Sequence, residues 1–270
     1  MDINYSLIRE KINDADAVII GASNGLSITE GFQIFADNDD FRALFGDLRD
    51  KYGICSPLQG FFFNWPTDEE RWVFLSRLIN HYSGSYTGSP VMDALKTLVA
   101  GKPYFILTSN GENHFELAGF DPACILEIEG SWKEMRCASG CHDTLYPTWD
   151  AVRKMAAAEK DAHIPAELIP RCPHCGGSMV INMQPKQELI DAFNDFAAHY
   201  HNKKLLVLEL GIGARNQLIK APLMRLVNSA PNAFYITFNK GEIFIPPQIA
   251  HKSIGVDGLL GDILPKLANN

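Results

Sequence analysis

Five short apolar segments constrain the fold of this chain most strongly, because each has the length of one buried strand and ends in glycine or polar residues. The segments are AVII at 17–20, KPYFILTSN at 102–110, ACILEIEG at 123–130, KLLVLELGIG at 204–213 and NAFYITFN at 232–239. Helical patterns accompany them at 5–14, 186–201 and 257–268. Short buried strands that alternate with helices predict an α/β fold, in which helices cover both faces of a parallel sheet.

The ends of these strands carry the residues that we expect to bind a ligand. In open α/β sheets, ligands bind beyond the carboxyl ends of the strands, where loops meet helix N-termini. The turns of interest are Gly21–Ser27, Thr108–Glu112, Glu129–Gly130 and Gly211–Gly213. Glycine-rich turns suit close approach of the backbone to a pyrophosphate, although GASNGLS also fits a turn that only caps a helix.

Four of the six cysteines form two close pairs, namely Cys137 with Cys141 and Cys172 with Cys175. A short loop lets two thiolates converge on one tetrahedral ion, and in a reducing compartment such pairs are more typical of metal sites than of disulfides. The pattern predicts a structural zinc site with no open position for a catalytic water. Two alternatives remain open: His142 or His174 replaces a cysteine, or the four thiols are merely buried.

Charge and hydropathy narrow the range of partners. The 24 basic and 32 acidic side chains give a formal charge of -8, which argues against nucleic acid as the main partner. No apolar run approaches the ~20 residues that span a bilayer. The start of the chain also lacks the apolar centre and cleavage site of a signal peptide. We therefore expect a cytoplasmic protein without a membrane partner.

The length of 270 residues suits one large domain with a smaller satellite. We expect a sheet domain, a helical insertion and a small zinc-binding domain. The sheet domain would comprise 1–31, 91–129 and 186–270, the insertion 32–90, and the zinc-binding domain 130–185. The aromatic stretch at 61–65 predicts the core of the insertion, with an acceptor groove as the alternative.

The order of these pieces resembles the sirtuins, which are NAD-dependent enzymes with a Rossmann-like domain and an inserted zinc module. VIIGASNGLSITEGFQIF at 18–35 is similar to the first loop of that family, whose arginine falls here on Ala36. The matching residues of this loop are Gly25, Leu26, Ser27, Gly31 and Phe35. TSNGENHFELAG at 108–119 resembles the T-Q-N-x-D segment, with Asn110 matching and Glu112 in place of aspartate. The loop GIGARN at 211–216, the strand-end Asn239 and the segment GDILPKL at 261–267 resemble later parts of the family.

One departure changes the expected chemistry. LEIEGSW, which ends at Trp132, resembles the segment that carries the deacetylase histidine, but Glu129 stands in its place. Glu129, together with Glu112 and the C-x3-C spacing of the first cysteine pair, resembles the class M sirtuins. This class resemblance implies protein ADP-ribosylation rather than deacylation. The class resemblance also implies a protein acceptor, with a lipoylated protein and a macrodomain protein as candidate partners.

The resemblance implies a set of site residues. Those that would contact NAD are Gly21, Ala22, Gly25, Leu26, Ser27, Phe35, Gly211, Gly213, Asn239 and Leu260. Asn110, Glu112 and Glu129 would be catalytic, with Asn110 and Glu129 facing the nicotinamide ribose together. His114 is expected to be structural. A bulky residue at Gly25 or Gly213 should weaken NAD binding with little change in the melting temperature of the free protein.

Elementary acid–base chemistry supports the change in activity. Deacylation needs a base that deprotonates a ribose hydroxyl, and a histidine that titrates near neutrality provides one. A carboxylate with an ordinary pKa is a weaker base, but it can stabilise positive charge on the ribose or orient an acceptor. The alternatives are a deacylase in which Glu129 replaces the histidine, an NAD glycohydrolase, and a non-catalytic sensor of NAD or ADP-ribose.

Overall fold

The computed structural model describes residues 3–269, which contain nine strands and eleven α-helices. The strands are β1 (Ala17–Ala22), β2 (Tyr104–Thr108), β3 (Ile125–Glu127), β4 (Ser131–Cys137), β5 (Tyr146–Pro147), β6 (Met179–Asn182), β7 (Leu205–Leu210), β8 (Phe234–Asn239) and β9 (Ser253–Asp257). The α-helices are α1 (Tyr5–Asp14), α2 (Asn24–Thr29), α3 (Asp39–Tyr52), α4 (Pro57–Phe61), α5 (Asp68–Ile79), α6 (Pro90–Val99), α7 (His114–Leu117), α8 (Trp149–Ala158), α9 (Gln187–Tyr200), α10 (Gln217–Ser229) and α11 (Leu260–Asn269).

Six strands form one parallel sheet in the order β3-β2-β1-β7-β8-β9. Every residue of β1 and β7 is buried, because these central strands are covered on both faces. The predicted α/β, Rossmann-like architecture is therefore confirmed. The sequence pattern does not reveal the edge strand β9, since Gly255 and Asp257 interrupt its short apolar run.

Two hydrophobic clusters lie on opposite faces of this sheet. On one face, α1, α6 and α11 contribute Ile8, Leu95 and Leu264. On the other face, α10 contributes Leu223, and half-buried side chains of α9 such as Phe193 pack against the same cluster. Alternate residues of β1 point to one cluster and then the other, which fixes the register of the strand between them.

The helical insertion and the cysteine segment share a third hydrophobic cluster. Trp72 and Phe74 of α5 belong to the same cluster as Trp132 and Met135 of β4. The cysteine segment contains α8 and a small antiparallel sheet in the order β5-β4-β6, elements that the sequence pattern did not resolve individually. The boundaries of the three units at 31, 90, 129 and 185 stay a prediction.

The aromatic stretch at 61–65 divides between core and surface. Phe61, Phe63 and Trp65 pack against the third cluster, whereas the side chain of Phe62 is 68% exposed. Within residues 3–269, none of the helices combines the length and the apolar character needed to span a bilayer.

Candidate functional site

The loops that follow β1, β2 and β7 meet through a small polar cluster at the carboxyl edge of the sheet. The hydroxyl of Ser109 donates to Ser23 Oγ at 3.0 Å. The amide Nδ2 of Asn216 donates to both hydroxyl oxygens at 2.9 Å. Sequence reasoning missed Ser109 and Asn216, although both lie in the loops TSNGEN and GIGARN that it singled out. This cluster joins three strand ends before any ligand is added.

Asn110 comes directly after Ser109 of this cluster, and its side-chain oxygen has no hydrogen-bond partner among the described residues. Its Nδ2 donates to the carbonyl of Ser23 at 3.2 Å, and its backbone N–H donates to Thr108 Oγ1 at 3.0 Å. Its Oδ1 is buried and accepts no hydrogen bond from residues 3–269. A buried carbonyl oxygen without a partner is costly, so this atom is suited to accept a hydrogen bond from a bound hydroxyl group.

Glu112 is almost fully enclosed, and its carboxylate faces the first loop. Ser27 Oγ donates to Glu112 Oε1 at 2.6 Å, and Ser83 Oγ donates to the Glu112 carbonyl at 2.8 Å. Burial raises the pKa of Glu112, and the nearby His114 and Ser27 offset part of that rise. The hydroxyl of Ser27 is therefore engaged within the protein, where it links the first loop to the loop after β2.

His114 lies behind this site in a buried ionic network with Glu30. His114 Nε2 donates to the Tyr82 carbonyl at 2.7 Å, and Nδ1 is 2.9 Å from Glu30 Oε2. Tyr86 and Ser89 donate to the other oxygen of Glu30 at 2.7 and 2.6 Å. Burial acts to lower the pKa of His114, but the hydrogen bond to Glu30 and the nearby carboxylates raise it above the ordinary value.

Glu129 lies in the turn after β3 and lines the same cavity as Asn110 and Glu112. Partial burial raises the pKa of its carboxyl group. The cavity has a volume of about 130 Å³. Its polar lining includes Asn110, Glu112 and Glu129, and most of its other lining residues are apolar. The apolar lining residues include Phe32, Phe35, Leu58, Phe61, Phe62, Leu78, Trp132 and Met183.

The glycine loops pack against each other more closely than the sequence pattern indicated. The Gly25 N–H donates to the Gly211 carbonyl at 2.9 Å, and a Cβ on Gly25 would lie 2.6 Å from the Gly211 backbone. The expectation that a bulky residue at Gly25 leaves the free protein unaffected is therefore wrong, because the clash is with backbone atoms. A Cβ on Gly213 would meet only Glu242 Oε2, at an ordinary 3.5 Å, among the described residues.

Four other residues expected to contact NAD are packed into the interior of the protein. Leu26, Leu260 and Ala22 belong to the hydrophobic cluster to which α1, α6 and α11 contribute. Gly21 lies inside β1, where a Cβ would clash with Leu223. At these four positions a contact with NAD would have to come from the backbone.

The remaining expected NAD contacts lie at the surface. Phe35 is exposed at the rim of the cavity. Asn239 ends β8, and its Nδ2 donates to the Ile212 and Glu242 carbonyls at 3.3 Å. Asn239 therefore holds the loop after β7 against the loop after β8, beside Gly211 and Gly213.

The four paired cysteines converge as the sequence predicted. Their sulfur atoms all lie within 4.8 Å of one another, with Cys137–Cys175 and Cys141–Cys172 at 3.6 Å. A tetrahedral zinc ion with Zn–S bonds of about 2.3 Å requires sulfur separations of roughly 3.8 Å, so the cluster fits zinc. His142 Nδ1 lies 3.0 Å from Cys141 Sγ, and its Nε2 is 2.9 Å from Tyr146 OH. Four thiolates fill a tetrahedral ion, so the site is structural.

Solved structures establish the fold family. A Sir2 homologue in complex with NAD superimposes with a TM-score of 0.69 at 16% identity, over 100% of this chain and 93% of that chain. Sir2Tm bound to a propionylated peptide gives a TM-score of 0.65 at 15% identity, over 99% and 98% of the two chains. No protein-family model matches the sequence.

Sequence relatives are decisive. A protein from Staphylococcus aureus (strain Mu50 / ATCC 700699) named protein ADP-ribosyltransferase is 34% identical over 261 residues, which cover 92% of this chain and 82% of the relative. The chain belongs to the sirtuin family. A Fusarium oxysporum f. sp. cubense protein named probable bifunctional ADP-ribose hydrolase/ADP-ribosyltransferase is 30% identical over 229 residues, 78% of this sirtuin and 38% of that protein.

Family membership also gives the enzyme class. This sirtuin is an NAD-dependent transferase, as its two relatives with transferase names indicate. NAD is its co-substrate, and the unpaired Oδ1 of Asn110 in the cavity suits a ribose hydroxyl. Cys137, Cys141, Cys172 and Cys175 would hold the zinc ion, which contributes to folding rather than to the reaction.

Proposed function

We propose that this sirtuin transfers ADP-ribose from NAD to a side chain of a partner protein. One observation carries the proposal: Glu129, which stands in place of the deacetylase histidine in the sequence resemblance, lines the same cavity as Asn110. A carboxylate there suits stabilisation of positive charge on the ribose better than deprotonation of a ribose hydroxyl.

The reaction requires one bond to break and one to form. The bond between the nicotinamide nitrogen and ribose C1′ breaks, and nicotinamide leaves as a neutral molecule with the bonding electron pair. An oxygen or nitrogen atom of the acceptor then bonds to C1′ and loses its proton to solvent. In this scheme Asn110 Oδ1 accepts a hydrogen bond from the ribose, and Glu129 stabilises the developing positive charge and orients the acceptor.

The glycine loops supply a place for the rest of NAD. We assign the pyrophosphate to Gly21–Ser27, the glycine-containing loop that leads from β1 into α2. We assign the adenosine to Gly211, Gly213 and Asn239 at the ends of β7 and β8. The polar cluster of Ser23, Ser109 and Asn216 would then lie between the two halves of the molecule, within reach of ribose or phosphate oxygens.

The acceptor protein would approach the cavity over apolar side chains. The exposed Phe35 and Phe62 on the cavity rim, with Met183, provide an apolar approach to Glu129. We retain a lipoylated protein as candidate acceptor and a macrodomain protein as candidate partner, on the class resemblance alone. We also propose a cytoplasmic location, where thiolates stay reduced and available to zinc.

NAD labelled in its ADP-ribose part tests the assignment directly. Asn110→Ala should reduce nicotinamide release by about 100-fold, because transfer and hydrolysis both begin with cleavage of the same bond. Asn13→Ala, at an exposed position on α1, is the matched control and should match the parent.

The fate of the label separates the candidate activities. Label on protein supports transfer, and free ADP-ribose supports hydrolysis. Release of acyl-ADP-ribose from an acylated peptide would support deacylation instead. An Asn110→Ala variant that consumes NAD at the parent rate would contradict the proposed site.

A further inference from the structure

Glu127 at the end of β3 is a buried carboxyl group for which the proposed reaction has no use. It lies two residues before Glu129, yet it is not among the residues that line the NAD cavity, the cavity of Asn110 and Glu129. It lines instead a second cavity of about 280 Å³ on the other side of the same turn. A buried carboxyl group needs hydrogen-bond donors, and the neighbouring loops provide them.

The carboxylate of Glu127 is part of a bridge between two loops. Asn113 Nδ2 donates to Glu127 Oε1, and the same amide donates to Ser131 Oγ at 2.6 Å. Asn113 belongs to the loop after β2, whereas Ser131 begins β4. All three residues are buried, so water competes little for these hydrogen bonds.

The bridge holds Asn113 in an unusual backbone conformation. Its φ is 66° and its ψ is 20°, in the left-handed region that residues other than glycine seldom adopt. This conformation turns the chain between Glu112, which lines the NAD cavity, and His114, which contacts Glu30 behind it. Loss of the side-chain bridge would remove a contact that favours this turn.

Both loops joined by the bridge carry candidate catalytic residues. The loop after β2 carries Asn110, and the turn before Ser131 carries Glu129. A backbone hydrogen bond from the Trp132 N–H to the Gly111 carbonyl, 2.9 Å long, joins the same two segments beside the cavity. The distance between Asn110 and Glu129 is thus set by contacts between the loops rather than by the sheet alone.

We propose that Glu127 is a positioning residue for the transfer reaction: by binding Asn113 next to Ser131, it fixes the loop of Asn110 against the turn of Glu129. The inference rests on the proposed function for its catalytic consequence. The coupling of the two loops through the Glu127 carboxylate does not depend on the proposed function.

The charges around Glu127 make the bridge sensitive to pH. Burial raises its pKa to about 7, while Lys133 of β4 and the donors Ser131 and Asn113 act to lower it and Glu116 of α7 acts to raise it. Lys133 itself contacts Glu116, and across the second cavity Lys186 pairs with Glu134 at 2.6 Å. Glu188 also lines that cavity, which is lined by residues other than those of the NAD cavity.

The bridge should therefore strengthen as pH rises through neutrality. Ionised Glu127 is a stronger acceptor for the Asn113 amide than the neutral carboxyl group is. Glutamine keeps the shape of the neutral carboxyl group at every pH. At every pH, Glu127→Gln should therefore have about the activity that the parent has in acid. At mildly alkaline pH, the activity of the variant should be about 10-fold lower than that of the parent.

The experiment compares Glu127→Gln with the control Glu116→Gln, a more exposed carboxyl group close to the same lysine. Nicotinamide release is followed as a function of pH for the parent and both variants. In Glu127→Gln, the ionisation near pH 7 should disappear from the kcat profile, while KM for NAD changes less than about twofold. Glu116→Gln should keep that ionisation. A Glu127→Gln profile that matches the parent would overturn the proposal.

Hydrogen exchange tests the coupling without catalysis. In Glu127→Gln, the amides of residues 109–114 and 128–132 should exchange together, about 10-fold faster than in the parent. In Glu116→Gln they should not change. If the parent releases no nicotinamide, the proposed function fails while the exchange result still decides the role of Glu127. Unchanged exchange in both segments would overturn the bridge itself.

Discussion

At the scale of single residues, the buried pair of Glu30 and His114 shows how charge supports the site from behind. Both ring nitrogens of His114 face oxygen atoms, the Glu30 carboxylate and the Tyr82 carbonyl, so the doubly protonated ring satisfies both. The pair therefore anchors the first turn of α7 to the end of α2. The π-helix at Asn80–Gly84, which carries Tyr82, contacts the same turn.

The raised pKa of His114 predicts a pH dependence of stability. A histidine whose folded pKa lies above its unfolded value stabilises the protein fully below the unfolded pKa, and the contribution is lost as pH rises through the folded pKa. His114→Gln should lower the free energy of unfolding by about 3 kcal/mol in mild acid, since it leaves Glu30 buried without its cation. The difference from the parent should shrink in alkaline solution.

Thermal melts across this pH range check the expectation. His251→Gln, at an exposed position before β9, serves as the control and should leave the melting temperature within about a degree of the parent. A constant difference between His114→Gln and the parent from acid to alkaline pH would show that packing, rather than charge, accounts for the role of His114.

At the scale of elements, the close contact between the loops after β1 and β7 requires glycine at positions 25 and 211. A Cβ on Gly25 would approach the Gly211 backbone to 2.6 Å, and Gly211 itself has a φ of 61°. Gly25→Ala should therefore lower the melting temperature of the free protein by several degrees, equivalent to about 1–3 kcal/mol.

Gly213→Ala is the matched variant, because its new methyl group has room beside Glu242. We expect an unchanged melting temperature with weaker NAD binding, measured by calorimetry, since the methyl group occupies the proposed adenosine site. Equal stability of Gly25→Ala and the parent would show that the loops separate at little cost. Parent-like NAD affinity of Gly213→Ala would place the adenosine elsewhere.

Elements and pairwise contacts differ in how well the sequence predicts them. AVII and LLVLEL at 205–210 are strands because predominantly apolar runs of that length must be buried on both faces, and the pattern states this directly, with Glu209 as the one charged residue. The edge strand SIGVD lacks such a run, because only one of its residues, Val256, is fully buried. A half-exposed edge strand needs fewer apolar residues, so its pattern is weak.

The residues of the candidate site also differ in how well the sequence predicts them. Asn110 and Glu129 stand out because they follow buried strands at the carboxyl edge of the sheet. Asn113 does not stand out, since its role depends on a left-handed turn and on a partner in another strand. The link between Ser27 and Glu112 likewise joins residues 85 positions apart, a distance that no local pattern encodes.

At the scale of the whole molecule, the cysteine cluster and the cavity of Asn110 and Glu129 are connected through one hydrophobic cluster. Cys137 and Cys172 belong to the cluster that also contains Trp72 of the helical insertion and Trp132 of the cavity wall. Phe32, whose ring packs edge-on against Trp132 at 5.5 Å, extends this cluster towards the first loop. The metal should therefore stabilise both inserted segments together, although it takes no part in the chemistry.

Removal of zinc should loosen the inserted segments before the sheet domain. Cys172→Ser leaves three thiolates, and a lost ligand weakens a site whose binding free energy is coupled to folding. Amides of α5 and β4 should then exchange faster, because they share a cluster with the cysteines. Amides of β1 and β7 should stay protected, since their side chains pack in the two clusters that cover the sheet.

Hydrogen exchange and metal analysis on the same samples check this expectation, with Cys55→Ser, an exposed cysteine outside the cluster, as the control. Nicotinamide release should fall in Cys172→Ser because the apolar wall of the cavity loosens, and added zinc should restore part of it in the parent after chelation. If β1 and β7 lose protection as early as α5 and β4, the molecule unfolds as one unit and the zinc site supports the sheet as well. If α5 keeps its protection after the metal is lost, the shared cluster holds the insertion without zinc.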